Sequence, residues 1–382
     1  MAFDKIYQYN FPTLIRFGAG SSSELGDYLK KNALHRPLIV TDPVVSQLGF
    51  FKKIVADLQA KNIAPEVFDN IHKNPVKSDV YKGTDVYDAA ACDAIIGIGG
   101  GAALDVARAI TLRVEHREDL FKYDDLIGGD IYVTNDVPHF ITIPTTAGTG
   151  SEVGRSAIIA DDETHQKKIL FSPKLLAKII FADPLLTMDI PPAITAATGM
   201  DALTHNLEAY LVNMEHPMCD GIALQAISLI RDSIEKAVHR PDVESRSKML
   251  IASLMGAVAF QKGLGVVHSL AHPLSSLLDT HHGLANAVNL PYGMRFNIEG
   301  QEEKFKKIAA ALSLNELSGE AVVNYLFDLN TAINIPHQLR NIGVTEAHIE
   351  TLSDLALADF AHPNNPKPVS RENFKQLYLE AL

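Results

Sequence analysis

The sequence predicts a two-domain protein, in which an α/β domain with a parallel sheet is followed by an all-α domain. Three observations lead to this prediction. The chain has 382 residues, which is too long for one ordinary domain and sufficient for two. Its first half alternates short apolar runs with helical patterns, as parallel strands covered by helices do. From about residue 191 onward, helical patterns continue with almost no alternating strand pattern.

The elements follow in order along the chain. Apolar runs at 37–41 (PLIVT), 94–98 (AIIGI) and 139–143 (HFITI) predict buried strands, and helical patterns at about 50–61 and 102–110 follow the first two. Pro144 stops the third strand. A proline pair at 191–192 places the boundary near 185–192, which gives domains over 1–187 and 188–382. Residues 199–210 and 267–275 are predicted helices, the second ending at Pro273, and 362–368 (HPNNPKP) indicates a loop.

Composition excludes several classes of protein. Hydrophobic residues make up 47% of the chain and charged residues 21%, as in ordinary globular proteins. The net charge of −12, without a basic stripe, argues against nucleic acid or an anionic membrane as partner. Two cysteines cannot form a disulfide framework, and we expect neither a membrane-spanning segment nor a signal peptide. These features together predict a cytoplasmic protein.

A glycine-rich turn follows the second predicted strand. Gly99, Gly100 and Gly101 lead into a helix, so backbone N–H groups and the helix N-terminus can approach a pyrophosphate. Asp42, at the end of the first strand, can accept hydrogen bonds from ribose hydroxyls and would repel a 2′-phosphate, which favours NAD over NADP. The acidic residue precedes the glycines here, whereas it follows them in an ordinary Rossmann domain, so a different dinucleotide fold is indicated. The polar loop at 144–152 (PTTAGTGSE) follows the third strand and offers further donors, although a plain polar loop would have the same composition.

Histidine spacing in the second half indicates a metal site. Asp201 and His205 are four residues apart on a predicted helix, so both side chains lie on one face. His268 and His272 repeat this spacing, and 281–282 adds a histidine pair. One carboxylate with three imidazoles suits Fe²⁺ or Zn²⁺. The spacing alone leaves open which of the later histidines are ligands.

These motifs together resemble the iron-containing (group III) alcohol dehydrogenase family. The resemblance rests on GGGAALD at 99–105, PTTAGTGSE at 144–152, ATGMDALTHNLEAY at 197–210, GLGVVHSLAHPL at 263–274 and HHGLANAV at 281–288. It implies an N-terminal dinucleotide-binding domain, an all-helical metal-binding domain and an active site in the cleft between them. It also implies a homodimer or a higher homo-oligomer.

The resemblance assigns roles to individual positions. The implied metal ligands are Asp201, His205, His268 and His282, and His272 is implied to transfer protons or hold substrate. The implied NAD contacts are Asp42, Gly99, Gly100, Gly101, Asp105, Thr145, Thr146, Thr149 and Lys167, although Lys168 can be confused with Lys167. His281 stands where the family often has proline, and we interpret it as a bystander.

Arg155 departs from the family, which commonly has a small or neutral residue there, and could pair with a substrate carboxylate. With residues 261–274, it resembles the branch that includes 4-hydroxybutyrate dehydrogenases. An equally good interpretation is a solvated or interdomain side chain.

The implied reaction interconverts a short primary alcohol, or a terminal hydroxy acid such as 4-hydroxybutyrate, and its aldehyde. Hydride would pass from a metal-bound alkoxide to NAD. The alternatives on this architecture are a glycerol-type polyol dehydrogenase, a lyase similar to dehydroquinate synthase, and a non-catalytic binding protein. Neither alternative enzyme carries this ligand set together with HHGLANAV.

Overall fold

The computed structural model describes residue 11 and residues 13–382, which divide into two compact units. The first, called the sheet unit here, consists of the described residues up to 146 together with 150–189. The second, called the helical unit, consists of 147–149 and 190–382.

A six-stranded parallel sheet forms the centre of the sheet unit. Its order is β1-β8-β5-β4-β2-β3, and a separate antiparallel pair, β6 and β7, belongs to the same unit. The strands are β1 (Leu14–Phe17), β2 (Pro37–Val40), β3 (Glu66–Phe68), β4 (Ala94–Gly99), β5 (His139–Pro144), β6 (Ser156–Ala160), β7 (Lys167–Phe171) and β8 (Ile179–Ala182). The helices of this unit are α1 (Leu25–Lys31), α2 (Gly49–Ala60), α3 (Lys77–Ala89) and α4 (Gly101–Glu115).

The three strands predicted from apolar runs are confirmed as β2, β4 and β5. All four residues of β2 and all six of β4 are buried, because a parallel sheet covered by helices has no solvent face. In the register, Gly99 pairs with Pro144, so the glycine turn and the polar loop leave the sheet at the same edge. The amide of Thr145 donates to the carbonyl of Gly99 at 3.0 Å, which joins the two loops at their start.

The helical unit is built around one long buried helix, α5. Its core contains side chains from α5 to α14, including Leu203, Leu270 and Val288. The helices are α5 (Pro192–Leu211), α6 (Pro217–Arg231), α7 (Ile234–His239), α8 (Val243–Ala259), α9 (Val266–Leu278), α10 (His282–Phe296), α11 (Glu302–Ala311), α12 (Gly319–Ala332), α13 (Ile349–Leu357) and α14 (Arg371–Ala381).

The predicted end of a helix at Pro273 is wrong, because α9 continues to Leu278. Proline removes one backbone donor and costs about 3 kcal/mol inside a helix. Burial of Leu270, Pro273 and Leu274 in the core offsets this cost. The residue that caps its C-terminus is Asp279, whose φ of 52° is left-handed.

No single described helix is both long and apolar enough to span a membrane. The segments Val243–Lys262 and Val266–Leu278 pass only as a pair, bent by 107°.

Candidate metal centre and active site

Four side chains from three helices meet inside the helical unit. Asp201 and His205 lie on α5, His268 lies on α9, and His282 is the first residue of α10. Each offers one ligand atom, and these atoms all lie within 4.8 Å of one another. We call them the four-residue cluster. The structure thus brings together the four residues that the resemblance implied as ligands.

The donor chemistry of the cluster fits a single divalent cation. The Nε2 atoms of His205 and His268 lie 3.0 Å apart, and Asp201 Oδ1 lies 3.4 Å from His282 Nε2. His205 Nδ1 is buried and has no hydrogen-bond partner among the described residues. A cation among these atoms would receive lone pairs that are otherwise turned toward one another, and the donor set is one that Fe²⁺ or Zn²⁺ accepts.

The protonation states of the cluster also suit a cation. Burial opposes ionisation of Asp201, but the imidazoles of His205, His282 and His268 outweigh it and lower the pKa of Asp201 to about 2. Burial, together with His205 and His272, lowers the pKa of His268 well below its usual value. An ionised carboxylate and a neutral imidazole are the forms that bind metal.

Two further residues hold the cluster, and sequence reasoning missed both. Glu208 Oε2 lies 2.6 Å from His268 Nδ1, and its Oε1 accepts from the amide of Val267 at 2.7 Å. Asn286 Nδ2 donates to Asp201 Oδ1 at 2.7 Å. A signal existed, because Glu208 falls three residues after His205 and Asn286 four residues after His282, on the same helix faces.

His272 lies beside the cluster. Its ring stacks on that of His282, with centroids 5.3 Å apart and an interplanar angle of 15°. Its Nδ1 lies 2.7 Å from Oδ2 of Asp359. No sequence pattern had singled out the segment that carries Asp359. This position is consistent with the role implied for His272, which remains a prediction.

The predicted dinucleotide residues gather at one edge of the parallel sheet. Gly99 has a φ of +151°, and a Cβ there would lie 2.7 Å from that of Ala103, so this turn requires glycine. Gly100 directly precedes α4, and Gly101 begins it. Asp42 Oδ2 is 3.6 Å from the same Cβ position of Gly99, because β2 is the neighbour of β4. Sheet order therefore explains why Asp42 precedes the glycines in sequence.

The predicted threonines divide between the two units. Thr145 and Thr146 stay at the sheet edge, where Thr146 Oγ1 would lie 3.3 Å from a Cβ on Gly100. Thr149 belongs to the helical unit, and its Oγ1 donates to Asp201 Oδ2 at 3.4 Å. A residue expected to contact NAD therefore contacts a cluster carboxylate.

Asp105 is bonded within the chain. Its carboxylate accepts from Ser151 Oγ at 2.7 Å and from the amide of Ile158 at 3.1 Å, and pairs with Arg108 at 3.1 Å. These bonds tie α4 to the polar loop and to β6. The NAD contact expected of Asp105 remains a prediction.

Two further predicted residues lie near the β6–β7 pair. Lys167 pairs with Ala160 in the antiparallel register, whereas Lys168 Nζ lies 3.4 Å from Asp124 Oδ2. Arg155 places its guanidinium over the ring of Phe171, 5.5 Å from the centroid. The NAD contact of Lys167 and the substrate contact of Arg155 remain predictions.

Comparison with known proteins identifies the family. Residues 12–184 match the family described as iron-containing alcohol dehydrogenase, and residues 195–382 match the description Fe-containing alcohol dehydrogenase family, C-terminal. The chain belongs to the iron-containing alcohol dehydrogenase family. The resemblance deduced from the motifs is confirmed, and the protein is an oxidoreductase that interconverts alcohols and aldehydes.

Characterised members of this family align along almost the whole chain. The 4-hydroxybutyrate dehydrogenase of Cupriavidus necator is 35% identical over 380 residues, covering 97% of this chain and 98% of the relative. The NAD-dependent methanol dehydrogenase of Bacillus methanolicus is 33% identical over 373 residues, covering 96% and 97%. The crystal structure of a 1,3-propanediol oxidoreductase superposes with a TM-score of 0.94 at 33% identity, covering 99% of this chain and 100% of the other. The predicted fold class, a parallel-sheet domain followed by a helical one, is confirmed.

Proposed function

We propose that this alcohol dehydrogenase is a metal-dependent, NAD-linked enzyme for short primary alcohols or terminal hydroxy acids such as 4-hydroxybutyrate. The observation that carries the proposal is the convergence of Asp201, His205, His268 and His282 within 4.8 Å, with His272 stacked against the last of them. This arrangement joins a metal-binding donor set to a group able to exchange protons.

The proposed metal is Fe²⁺, with Zn²⁺ as the alternative, held by the four-residue cluster. When bound, the dication lowers the pKa of a substrate hydroxyl and favours its ionised form. Asp201 contributes the negative charge of the ligand set, and Thr149 and Asn286 hold its two carboxylate oxygens. Glu208 fixes the orientation of the His268 ring through its contact with Nδ1.

The proposed cofactor is NAD, with NADP less favoured. Bound NAD supplies the hydride acceptor. The backbone of Gly99, Gly100 and Gly101, at the start of α4, is suited to the pyrophosphate. Asp42 is suited to the ribose hydroxyls and would repel a 2′-phosphate. A relative named as NAD-dependent supports this preference.

The substrate class rests on both relatives and residues. Named activities of the relatives extend from methanol to 1,3-propanediol and 4-hydroxybutyrate, all with a terminal hydroxyl. Arg155 is the candidate partner for the carboxylate of a hydroxy acid. His272 is the candidate to hold the hydroxyl and to exchange its proton with solvent.

The test is NADH formation by protein loaded anaerobically with Fe²⁺, using ethanol, 1,3-propanediol and 4-hydroxybutyrate in parallel. We expect NADH from at least one of them. If 4-hydroxybutyrate is preferred, Arg155→Ala should raise its KM at least tenfold, whereas Arg117→Ala, which breaks an exposed pair with Asp88, should not. No NADH from any of the three would refute the proposal.

We further propose a homodimer, or a larger homo-oligomer, in the cytoplasm. The edge strand β1 exposes Leu14 and Phe17, which is consistent with a partner along this edge. Cys92 and Cys219 are both free and buried, as expected in a reducing compartment. Light scattering after size-exclusion chromatography would test the assembly, and a monomer mass would contradict it.

A further inference from the structure

A carboxylate distant in sequence contacts His272. Asp359 lies just after α13, 87 residues from His272, and its Oδ2 is 2.7 Å from His272 Nδ1. Its Oδ1 accepts from Ser269 Oγ at 2.6 Å and from the amide of Ala361 at 2.9 Å. The Asp359 side chain is 9% exposed, so both oxygens are held within the protein.

The network around Asp359 determines which nitrogen of His272 carries the proton. Burial opposes ionisation of Asp359, but the imidazole of His272 and the hydrogen bonds from His272, Ser269 and Ala361 hold its pKa below the usual range. An ionised carboxylate only accepts hydrogen bonds, so Nδ1 must be the donor. In the neutral ring, Nε2 then has the free lone pair.

The orientation of the His272 ring is also fixed. The ring centroid lies 5.3 Å from that of His282 and 5.3 Å from that of Phe360, with interplanar angles of 15° and 29°, and 5.7 Å from that of His268. With Nδ1 held by Asp359, the ring cannot turn over without losing this hydrogen bond. Nε2 is therefore fixed on the opposite side of the ring.

The segment that carries Asp359 is anchored to the same helix. The amide of His362 donates to Ser269 Oγ at 2.9 Å. Asn365 Oδ1 accepts from the amide of Val266, the first residue of α9, at 3.1 Å. The loop predicted at 362–368 thus holds Asp359 at a fixed position relative to α9.

We propose that Asp359 is a positioning residue for alcohol oxidation, because it fixes the tautomer and orientation of His272 and so presents Nε2 as the hydrogen-bond acceptor for the substrate hydroxyl. This inference rests on the proposed function for the role of His272. Asp359 acts through His272 and does not itself contact substrate.

Asp359→Asn tests this inference, because an amide has only one acceptor oxygen. The amide of Ala361 is a fixed donor, so the Asn oxygen stays on it while the NH₂ group faces His272 Nδ1. His272 must then accept at Nδ1 and carry its proton on Nε2, which removes the acceptor offered to substrate. We expect kcat to fall about 10- to 100-fold with KM changed less than about threefold, and iron per chain unchanged.

Two comparisons separate positioning from a general structural effect. Asp359→Asn added to His272→Ala should change kcat less than about twofold, because Asp359 acts only through that ring. Asp354 lies on α13 and forms an exposed pair with Arg371, so Asp354→Asn should leave kcat unchanged. Equal losses from Asp359→Asn in the two backgrounds, or loss of iron in the single variant, would overturn the inference.

A tautomer measurement makes the test independent of turnover. The ¹⁵N shifts of His272 in zinc-loaded protein should show a protonated Nδ1 in the parent and a protonated Nε2 in Asp359→Asn. The same tautomer in both proteins would overturn the inference even if the proposed function held. Full activity of His272→Ala would instead refute the role given to His272 while leaving the shift measurement valid.

Discussion

Replacement of Glu208 by Gln should weaken metal binding while preserving the packing of the helical unit. Glu208 is buried, and its carboxylate accepts from the amide of Val267 and lies against His268 Nδ1. Gln has nearly the same volume but only one acceptor oxygen, so one of the two donors must lose its partner. The Val267 amide cannot reorient, so the Gln NH₂ group faces His268 and moves the ring proton to Nε2.

The size of the effect follows from this single loss. His268 Nε2 lies 3.0 Å from His205 Nε2, inside the cluster, and a proton there competes with a cation. Leaving one buried hydrogen-bonding group unsatisfied costs about 1–3 kcal/mol. Loss of an outer carboxylate partner typically lowers metal affinity about 10- to 100-fold, which corresponds to about 1.4–2.8 kcal/mol. The two estimates agree, so we expect a Kd for metal raised within this range.

Competition with a fluorescent chelator, using Zn²⁺ to avoid oxidation, would measure the affinity. The assay should be run near pH 8, because burial raises the pKa of Glu208 to about 7 and the carboxyl must be ionised. Glu244→Gln is the matched control, since Glu244 is exposed and pairs with Lys248 at 2.6 Å. An unchanged Kd in Glu208→Gln, with the fold retained by circular dichroism, would refute the reasoning.

Three further predictions follow from other parts of the structure. Asp201→Ala should reduce iron from one per chain to less than about 0.1 by elemental analysis, because it removes the only carboxylate of the cluster; retained iron would show that the ligand assignment is wrong. Asp42→Gly should raise the ratio of kcat/KM for NADP to that for NAD at least tenfold, because it removes the charge that repels a 2′-phosphate; an unchanged ratio would remove Asp42 from the ribose site. Glu152 is buried, and burial raises its pKa from 4.5 to about 7, so the unfolded chain releases this proton first and the contribution of Glu152 to stability declines as pH rises between these values. Between pH 4 and pH 8, the parent should therefore lose roughly 3 kcal/mol of its free energy of unfolding that Glu152→Gln does not lose. If urea denaturation gave the same change in this free energy for variant and parent, the result would argue against a buried neutral carboxyl.

Much of the fold could be predicted from sequence because its central strands are continuous apolar runs. β2, β4 and β5 are fully or almost fully buried and end at polar loops, which sequence patterns reveal. β1 could not be found in this way, because three of its four residues are exposed and it has no apolar pattern. The order of the strands was also hidden, and only the contact between β2 and β4 explains the position of Asp42 beside Gly99.

The candidate ligands could be predicted because histidines and aspartate at helical spacing form a recognisable pattern. Their supporting residues were harder to find, since Glu208 and Asn286 have the correct spacing but no distinctive chemistry. Asp359 was beyond local reasoning, because it reaches His272 only through packing between segments 87 residues apart. Such contacts depend on tertiary structure, which a single sequence does not specify locally.

Metal dependence is tested most directly by an anaerobic iron titration of the metal-free protein, with bound iron and NADH formation followed together on the best alcohol substrate. We expect no turnover without metal, and activity that rises with iron and saturates at one Fe²⁺ per chain. The same titration of Asp201→Ala should give neither bound iron nor NADH. Full turnover by the metal-free protein, or activity in Asp201→Ala equal to that of the parent, would contradict a metal-dependent mechanism at the four-residue cluster.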